Sequence, residues 1–144
     1  MKKDLEIFHR YLSSRRLKVT KTRKLIFEEI FSAKKVHPNA YEIHQRLKKK
    51  SYKVSLASIY RTLSLLVKSG LVSEIDLGED HSHYEPDITE TGHGHLVCLS
   101  CGRVREFSHG DIRKIISKIG KDKHFKMDKF SIQVFGYCNS CQKK

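Results

Sequence analysis

The segment VSLASIYRTLSLLVKSGLV, residues 54–72, decides the fold. Ser55 is placed to cap a helix whose apolar residues recur at helical spacing, and Gly70 is placed to end that helix. Residues 71–77 then alternate between apolar and polar positions, which predicts a half-buried strand. GED follows as a turn, and HSHYEP can return as the partner strand. A helix followed directly by a small hairpin is the order of a winged helix-turn-helix.

Three further helices are predicted upstream of this segment. Thr20 can cap the second helix, and Asn39 with Glu42 three places later forms a capping-box pattern at the start of the third. Apolar residues recur at helical spacing in all three: Leu5, Phe8 and Leu12, then Leu25, Ile26, Ile30 and Phe31, then Ile43 and Leu47. The predicted first domain is therefore a winged helix spanning residues 1–84.

The second half of the chain has a different pattern. Pro86 breaks the pattern of the hairpin, and HLVCLSC, VREF, DIRKIISKIG and FSIQVFGYC then predict the order strand, strand, helix, strand. The last strand is partly apolar on both faces, which indicates a covering partner, most simply a second copy of the chain. One helix face is lined by Ile112, Ile115, Ile116 and Ile119. The fold class is predicted to be α+β, with a small α/β domain in residues 85–144.

Charge is distributed unevenly along the 144 residues, which carry a net charge of +13. Residues 1–75 hold 18 Lys and Arg against 6 Asp and Glu, whereas residues 76–144 hold 11 against 10. A basic half joined to a near-neutral half is typical of a nucleic-acid-binding domain that carries a second module. Charge alone leaves open a generic solubilising surface.

No part of the sequence has the pattern of a membrane or export segment. Uninterrupted apolar runs stay well below the ~18 residues of a membrane span, and the N-terminal MKKDLEIFHRYL lacks the apolar core of a secretion signal. We therefore expect a cytoplasmic protein without a membrane partner.

The helix in residues 54–72 is the predicted DNA-reading helix. In a helix-turn-helix the first turns of this helix contact base edges in the major groove. Arg61 can make a bidentate contact with guanine, and the ring of Tyr60 can contact a thymine methyl. The exposed residues are predicted to be Ala57, Ser58, Tyr60, Arg61 and Thr62. Three basic residues are predicted to meet phosphates or a minor groove: Lys18, Lys21 and Arg23.

All four cysteines fall in two C-x-x-C pairs separated by 36 residues. In a cytosolic protein such pairs indicate a metal site more often than a disulfide. Four thiolates form a closed shell that is typical of structural zinc, and redox-active dithiols are the alternative. The predicted zinc ligands are Cys98, Cys101, Cys138 and Cys141.

A second, separate metal site is predicted around His93 and His95. Because side chains alternate along a strand, the two histidines share one face while Cys98 points to the other. Further ligand candidates are His37, Glu85 and Glu106. Nitrogen and carboxylate ligands without sulfur suit Fe(II), Mn(II), Co(II) or Zn(II). The alternative is that His93 and His95 are surface residues that bind no metal.

The two prolines of the chain, Pro38 and Pro86, directly follow His37 and Glu85. A residue before proline is held extended, which would restrict both candidate ligands. On the returning strand of the hairpin, His81 and His83 share a face with Glu85, so His83 stays open as a replacement ligand.

With these residues in view, the chain resembles the ferric uptake regulator family of bacterial metal-dependent transcription factors. The resemblance runs through LKVTKTR (17–23), HPNAYEI (37–43), residues 54–72, HGHLVCLSCGRVREF (93–107) and YCNSC (137–141). It implies a homodimer whose winged helices bind a palindromic double-stranded DNA operator and whose C-terminal domains dimerise.

The resemblance also assigns roles by matching position. The cysteines match the structural Zn²⁺ ligands, Tyr60 and Arg61 match the base-reading pair, and Lys18 matches a minor-groove lysine. The regulatory metal, expected to be Fe²⁺ or Mn²⁺ with Zn²⁺ as a substitute in crystals, falls on His37, Glu85, His93, His95 and Glu106. This ion is expected to clamp the two domains and so to allow repressor binding.

Departures from the family pattern refine these expectations. An additional metal site of some iron regulators is not expected, because its positions hold Gly92, Gly94, Arg113 and Phe130. Glu85, Glu106 and Arg61 match iron-sensing members. Peroxide-sensing members, which are inactivated by iron-catalysed histidine oxidation, have aspartates at the two glutamate positions and an asparagine at the arginine position.

A Mn- or Zn-responsive regulator is a further alternative. A small zinc metallohydrolase is an alternative from another class, although no nucleophile or general base is evident.

Overall fold

A computed structural model describes residues 1–32, 37–87, 93–108, 110–127 and 130–142, without the side chains of His93 and Ser108. The chain divides into two compact units, Met1–Ile88 and Thr89–Lys144. Within the described ranges, no helix has both the length and the apolar content to cross a membrane.

The described residues of the first unit form four helices and a two-stranded hairpin. Its elements are α1 (Lys2–Ser14), α2 (Lys21–Ser32), α3 (Ala40–Lys49), α4 (Leu56–Lys68), β1 (Val72–Ile75) and β2 (His83–Pro86). All four helices and the hairpin contribute residues to one core. Its most deeply buried side chains are Phe8, Leu12, Ile26, Phe27, Ile30, Ile43, Leu47, Ile59, Leu63, Leu66 and Val72.

The predicted helix boundaries of this unit are confirmed by their hydrogen bonds. The Glu42 amide donates to Asn39 Oδ1 at 2.9 Å and the Asn39 amide donates to Glu42 Oε2 at 3.0 Å, which completes the capping box. Thr20 accepts from the Arg23 amide at 3.3 Å. Gly70, just after α4, has φ +72°, a conformation that suits glycine.

The hairpin extends beyond the predicted domain boundary. In the antiparallel pair β1–β2, Val72 is opposite Pro86 and Ser73 is opposite Glu85. Glu85 and Pro86 therefore belong to the first unit, and the division between the units falls four residues later than the expected end at residue 84.

The second unit has the predicted order of strand, strand, helix and strand. Its elements are β3 (His93–Cys98), β4 (Val104–Ser108), α5 (Gly110–Asp122) and β5 (Ile132–Gly136). The three strands form a sheet in the order β4-β3-β5, with β4 antiparallel and β5 parallel to β3. Together with the first unit, this confirms the predicted α+β fold class.

The second unit has few buried apolar residues. Among those described, only Val97 and Cys98 are buried hydrophobic residues. On the predicted isoleucine face of α5, Ile115 is 59% exposed and Ile119 is 53% exposed. Helical periodicity identifies an apolar face but not what covers it. A sheet and helix with so little core need another source of stability.

Candidate metal centres and DNA-binding surface

The parallel pairing of β3 with β5 brings the two C-x-x-C turns together. Cys98 is the last residue of β3 and is opposite Gly136, the last residue of β5. Because parallel strands end at the same edge of a sheet, the turns that follow them lie side by side. The pairing continues past the strands, since the Leu99 amide donates to the Gly136 carbonyl at 2.8 Å.

The four thiols fit a tetrahedral zinc ion. Their sulfur atoms all lie within 4.8 Å of one another, and Cys101 Sγ is 3.8 Å from Cys138 Sγ. With Zn–S bonds of about 2.3 Å, tetrahedral geometry separates the sulfurs by about 3.8 Å. None of the four is in a disulfide. The predicted structural zinc site is therefore consistent with the geometry of this cluster.

Backbone amides already favour a thiolate at Cys98. The Cys138 amide donates to Cys98 Sγ at 3.4 Å, and this hydrogen bond is the largest cause of a Cys98 pKa lowered to about 6. A thiolate is the form that binds zinc. The turn therefore places Cys98 beside the other thiols and also favours the thiolate form that zinc requires.

The first unit brings together two candidate ligands of the regulatory metal. His37 Nε2 lies 3.0 Å from Glu85 Oε2, and these side chains are 10% and 15% exposed. Beside them, the Tyr84 amide donates to the Pro38 carbonyl at 3.0 Å. This bond holds β2 against the segment that leads into α3, so the two ligands stay adjacent.

The second unit places His95 opposite Glu106 in the β3–β4 ladder. Directly opposed residues project from the same face of a sheet, so the imidazole and the carboxylate can reach one ion. His95 is 3% exposed, whereas Glu106 is exposed. The backbone of His93 is opposite Ser108, but the side chain of His93 lies outside the described part of the structure.

Gly94 leaves no room for the additional metal ligand that some family members place there. A Cβ built at Gly94 would lie 2.4 Å from a ring carbon of Phe107 and 3.1 Å from the Ile132 carbonyl oxygen. Any side chain here would require the Phe107 ring to move. Gly92, the other position of interest, lies outside the described residues.

The surface of α4 differs from the prediction at two positions, Ser58 and Thr62. Tyr60 is 51% exposed and Arg61 is also exposed, while Ser58 is half-buried. Thr62, predicted to be exposed, is 2% exposed, and its hydroxyl donates to the Ser58 carbonyl at 2.8 Å. The prediction was wrong because Thr62 follows Ile59 by three residues and lies on the same buried face.

The basic residues near α2 have different surroundings. Lys18 and Lys21 are exposed, whereas Arg23 is half-buried and its guanidinium donates to the Lys18 carbonyl. Arg23 therefore holds the segment that presents Lys18. Its remaining N–H groups can still meet a phosphate.

An ion pair between a buried carboxylate and an exposed lysine was not predicted from the sequence. Glu29, on α2, is 7% exposed and pairs with Lys50, the C-cap residue just after α3. A buried carboxylate is stable only with such a partner. The charged residues of an amphipathic helix are normally assigned to its solvent face, so the pattern of α2 held no signal for this contact.

Comparison with known proteins identifies the family of the chain. Residues 14–135 match the sequence model of the Ferric uptake regulator family. A ferric uptake regulation protein of Synechococcus elongatus is 35% identical over 107 residues, covering 74% of this chain and 73% of that protein. A peroxide operon regulator of Bacillus subtilis is 27% identical over 128 residues, covering 89% and 86%.

A solved structure agrees with this assignment. The ferric uptake regulator of Helicobacter pylori, described as having three functional metal binding sites, superposes with a TM-score of 0.83. It is 25% identical, and the match covers 99% of this chain and 94% of that one. The chain therefore belongs to the ferric uptake regulator family of metal-dependent, DNA-binding transcriptional regulators.

Proposed function

We propose that the protein is a cytoplasmic homodimeric repressor that binds a palindromic DNA operator when Fe(II) occupies its regulatory site. The regulatory ligands in this proposal are His37 and Glu85 in the first unit and His93, His95 and Glu106 in the second. In this function the five residues bind the regulatory metal and catalyse no reaction.

The contact between His37 and Glu85 carries this proposal. Their Nε2 and Oε2 atoms are 3.0 Å apart in a half-buried setting. Two ligands with bonds of about 2.1 Å to one ion lie roughly 3.0 to 3.4 Å apart. The pair thus already has nearly the separation that a divalent cation requires.

The second unit supplies the remaining ligands of the proposed site. His95 and Glu106 share a sheet face, and nitrogen with carboxylate oxygen suits Fe(II) and Mn(II) as well as Zn(II). When bound by ligands from both units, the ion would limit the motion of one unit relative to the other. A dimer with both recognition helices in a fixed arrangement would then be the dominant form.

Apolar surface on the second unit supports the proposed dimer. Several large apolar side chains are more than 40% exposed, and most lie on or beside the edge strand β5 and the helix α5. They are Leu96, Leu99, Ile115, Ile119, Phe125, Val134, Phe135 and Tyr137. Apolar surface of this extent marks an interaction site. A two-fold dimer would present two recognition helices to the two halves of a palindrome.

Iron is favoured over peroxide as the signal by three residues. Glu85, Glu106 and Arg61 match the iron-sensing members that the chain resembles, whereas peroxide-sensing members have aspartates and an asparagine. A peroxide regulator among the relatives keeps the second signal as the alternative. With glutamates in these places, we expect histidine oxidation by peroxide to be slow.

Arg61→Ala is expected to reduce operator affinity by about 1–3 kcal/mol and to relax preference at one operator base. The reason is that the exposed guanidinium of Arg61 can bind one guanine edge in two places. Lys21→Ala should weaken binding to all DNA sequences similarly and lower the salt dependence, because a lysine at this position would contact a phosphate.

Both variants are compared with the unchanged protein by binding titrations on operator DNA and on random DNA at several salt concentrations. Equal losses on the two DNAs for Arg61→Ala would assign Arg61 to a phosphate. Unchanged binding to both DNAs in both variants would contradict the proposed DNA-binding surface.

A further inference from the structure

Three side chains at the tip of the hairpin form a cluster that the proposed regulatory site does not use. Glu79, His81 and His83 each offer one ligand atom, and these atoms lie within 4.8 Å of one another. Glu79 Oε2 is 2.8 Å from His81 Nε2 and 3.0 Å from His83 Nε2. One carboxylate oxygen therefore faces two imidazole nitrogens.

The ring of His83 is oriented by the backbone. Its Nδ1 lies 2.6 Å from the His37 carbonyl oxygen, and its side chain is 11% exposed. A carbonyl can only accept, so Nδ1 carries the hydrogen and neutral His83 presents a lone pair on Nε2. Metal-binding histidines are commonly oriented in this way, with the other ring nitrogen donating to a carbonyl.

The ring of His81 is oriented by the cap of α3. Asn39 Oδ1 accepts from the Glu42 amide, so its Nδ2 is the atom that lies 2.9 Å from His81 Nε2. This amide is a donor, so Nε2 of His81 is the acceptor in that contact. The lone pair of His81 Nε2 is therefore used by Asn39, whereas that of neutral His83 is available on Nε2, and both nitrogens lie within 3.0 Å of Glu79 Oε2, which is itself an acceptor.

We propose that Glu79, His81 and His83 bind a divalent cation of the Zn(II) type, separately from the four-cysteine and regulatory sites. Three acceptor atoms this close together repel one another unless a cation or an added proton lies between them. Two imidazoles and a carboxylate are ligands that suit Zn(II), Co(II) or Ni(II), and water would complete the shell.

The cluster is accessible, and a cation would replace the Asn39 amide at the lone pair of His81 Nε2. His81 is 44% exposed and Glu79 is 42% exposed, and His81 and Asp80 line an open groove beside Tyr60. Ligands on a tetrahedral ion with bonds of about 2.0–2.1 Å would be about 3.3 Å apart. Glu79 would therefore move outward by a few tenths of an ångström, which an exposed turn permits.

The bound cation would connect the hairpin tip to the start of α3. The backbones of His83 and Asn39 form an isolated antiparallel β-bridge, and the Tyr84 amide donates to the Pro38 carbonyl. The contact of His83 Nδ1 with the His37 carbonyl extends this connection to the turn. A cation there would restrain the wing of the DNA-binding unit.

Titration with Co(II) or Zn(II) alone tests this site. The full chain, with zinc in its cysteine site and with His95→Ala to weaken the regulatory site, should bind one further equivalent in calorimetry. The Co(II) form should show the visible absorption of four-coordinate cobalt. Adding His81→Ala or Glu79→Gln should weaken this binding by at least about tenfold, whereas the control His44→Ala should not.

Both substituted residues are more than 40% exposed, so the variants are expected to keep the fold, which circular dichroism checks. Absence of the further equivalent, or equal affinity in the His81→Ala and His44→Ala proteins, would overturn the proposal and leave a proton-bridged hydrogen-bond cluster. Because no DNA is present, this result is independent of the proposed repressor function.

Discussion

Cys138→Ser is expected to abolish zinc binding and to unfold the second unit while the first unit stays folded. The second unit has only two buried apolar residues among those described, whereas all four helices of the first unit share one core. Structural zinc contributes on the order of 10 kcal/mol or more in small domains, which is comparable to the entire stability of a typical domain. Loss of the metal therefore cannot be compensated by packing.

Zinc content, circular dichroism and sedimentation report this outcome. Ser140→Ala, an exposed residue of the same turn, is the matched control and should keep its zinc and its dimer. A Cys138→Ser protein that retained one zinc per chain and remained dimeric would show that the cysteines are not the structural ligands.

His93→Ala is expected to keep the cysteine-bound zinc and the dimer but to lose metal-dependent operator binding. The four thiols form their own cluster, so the substitution leaves that shell complete. If the competent arrangement rises from 1% to nearly all molecules when metal binds, operator affinity rises by up to about 100-fold. Removing a proposed ligand should eliminate most of this increase.

The measurement is operator affinity with and without Fe(II) or Mn(II) under anaerobic conditions. His124→Asn is a suitable control, because His124 is exposed at φ +52°, where asparagine is tolerated. A His93→Ala protein that still required metal to bind its operator would show that the regulatory ligands are elsewhere. Glu79, His81 and His83 would then be the next residues to substitute.

Local elements of the fold could be predicted from the sequence because their partners are close in the chain. Asn39 and Glu42 are three residues apart, so their capping box is a local pattern, and both of its hydrogen bonds are present. The two C-x-x-C pairs likewise indicate a metal site through spacing alone. Such signals need no knowledge of tertiary structure.

Contacts between distant segments could not be predicted in the same way. The parallel pairing of β3 with β5 joins strands with a helix between them, and no residue type encodes that direction. The burial of Glu29 depends on Lys50 at the far end of α3. Alternation along the hairpin put His83 on the face of Glu85 but did not indicate that Glu79 contacts both His81 and His83. In each case tertiary contacts decide which partner a polar side chain meets.

The most direct test of the central claim is operator binding by anaerobically purified protein, titrated with Fe(II), Mn(II), Co(II) and Zn(II) and accompanied by metal analysis. We expect about one tightly held zinc per chain before titration, and Fe(II)-dependent operator binding that low peroxide inactivates only slowly. Rapid inactivation with oxidised histidine would identify a peroxide sensor instead. Operator affinity that none of the four cations changes would contradict metal-dependent regulation by this protein.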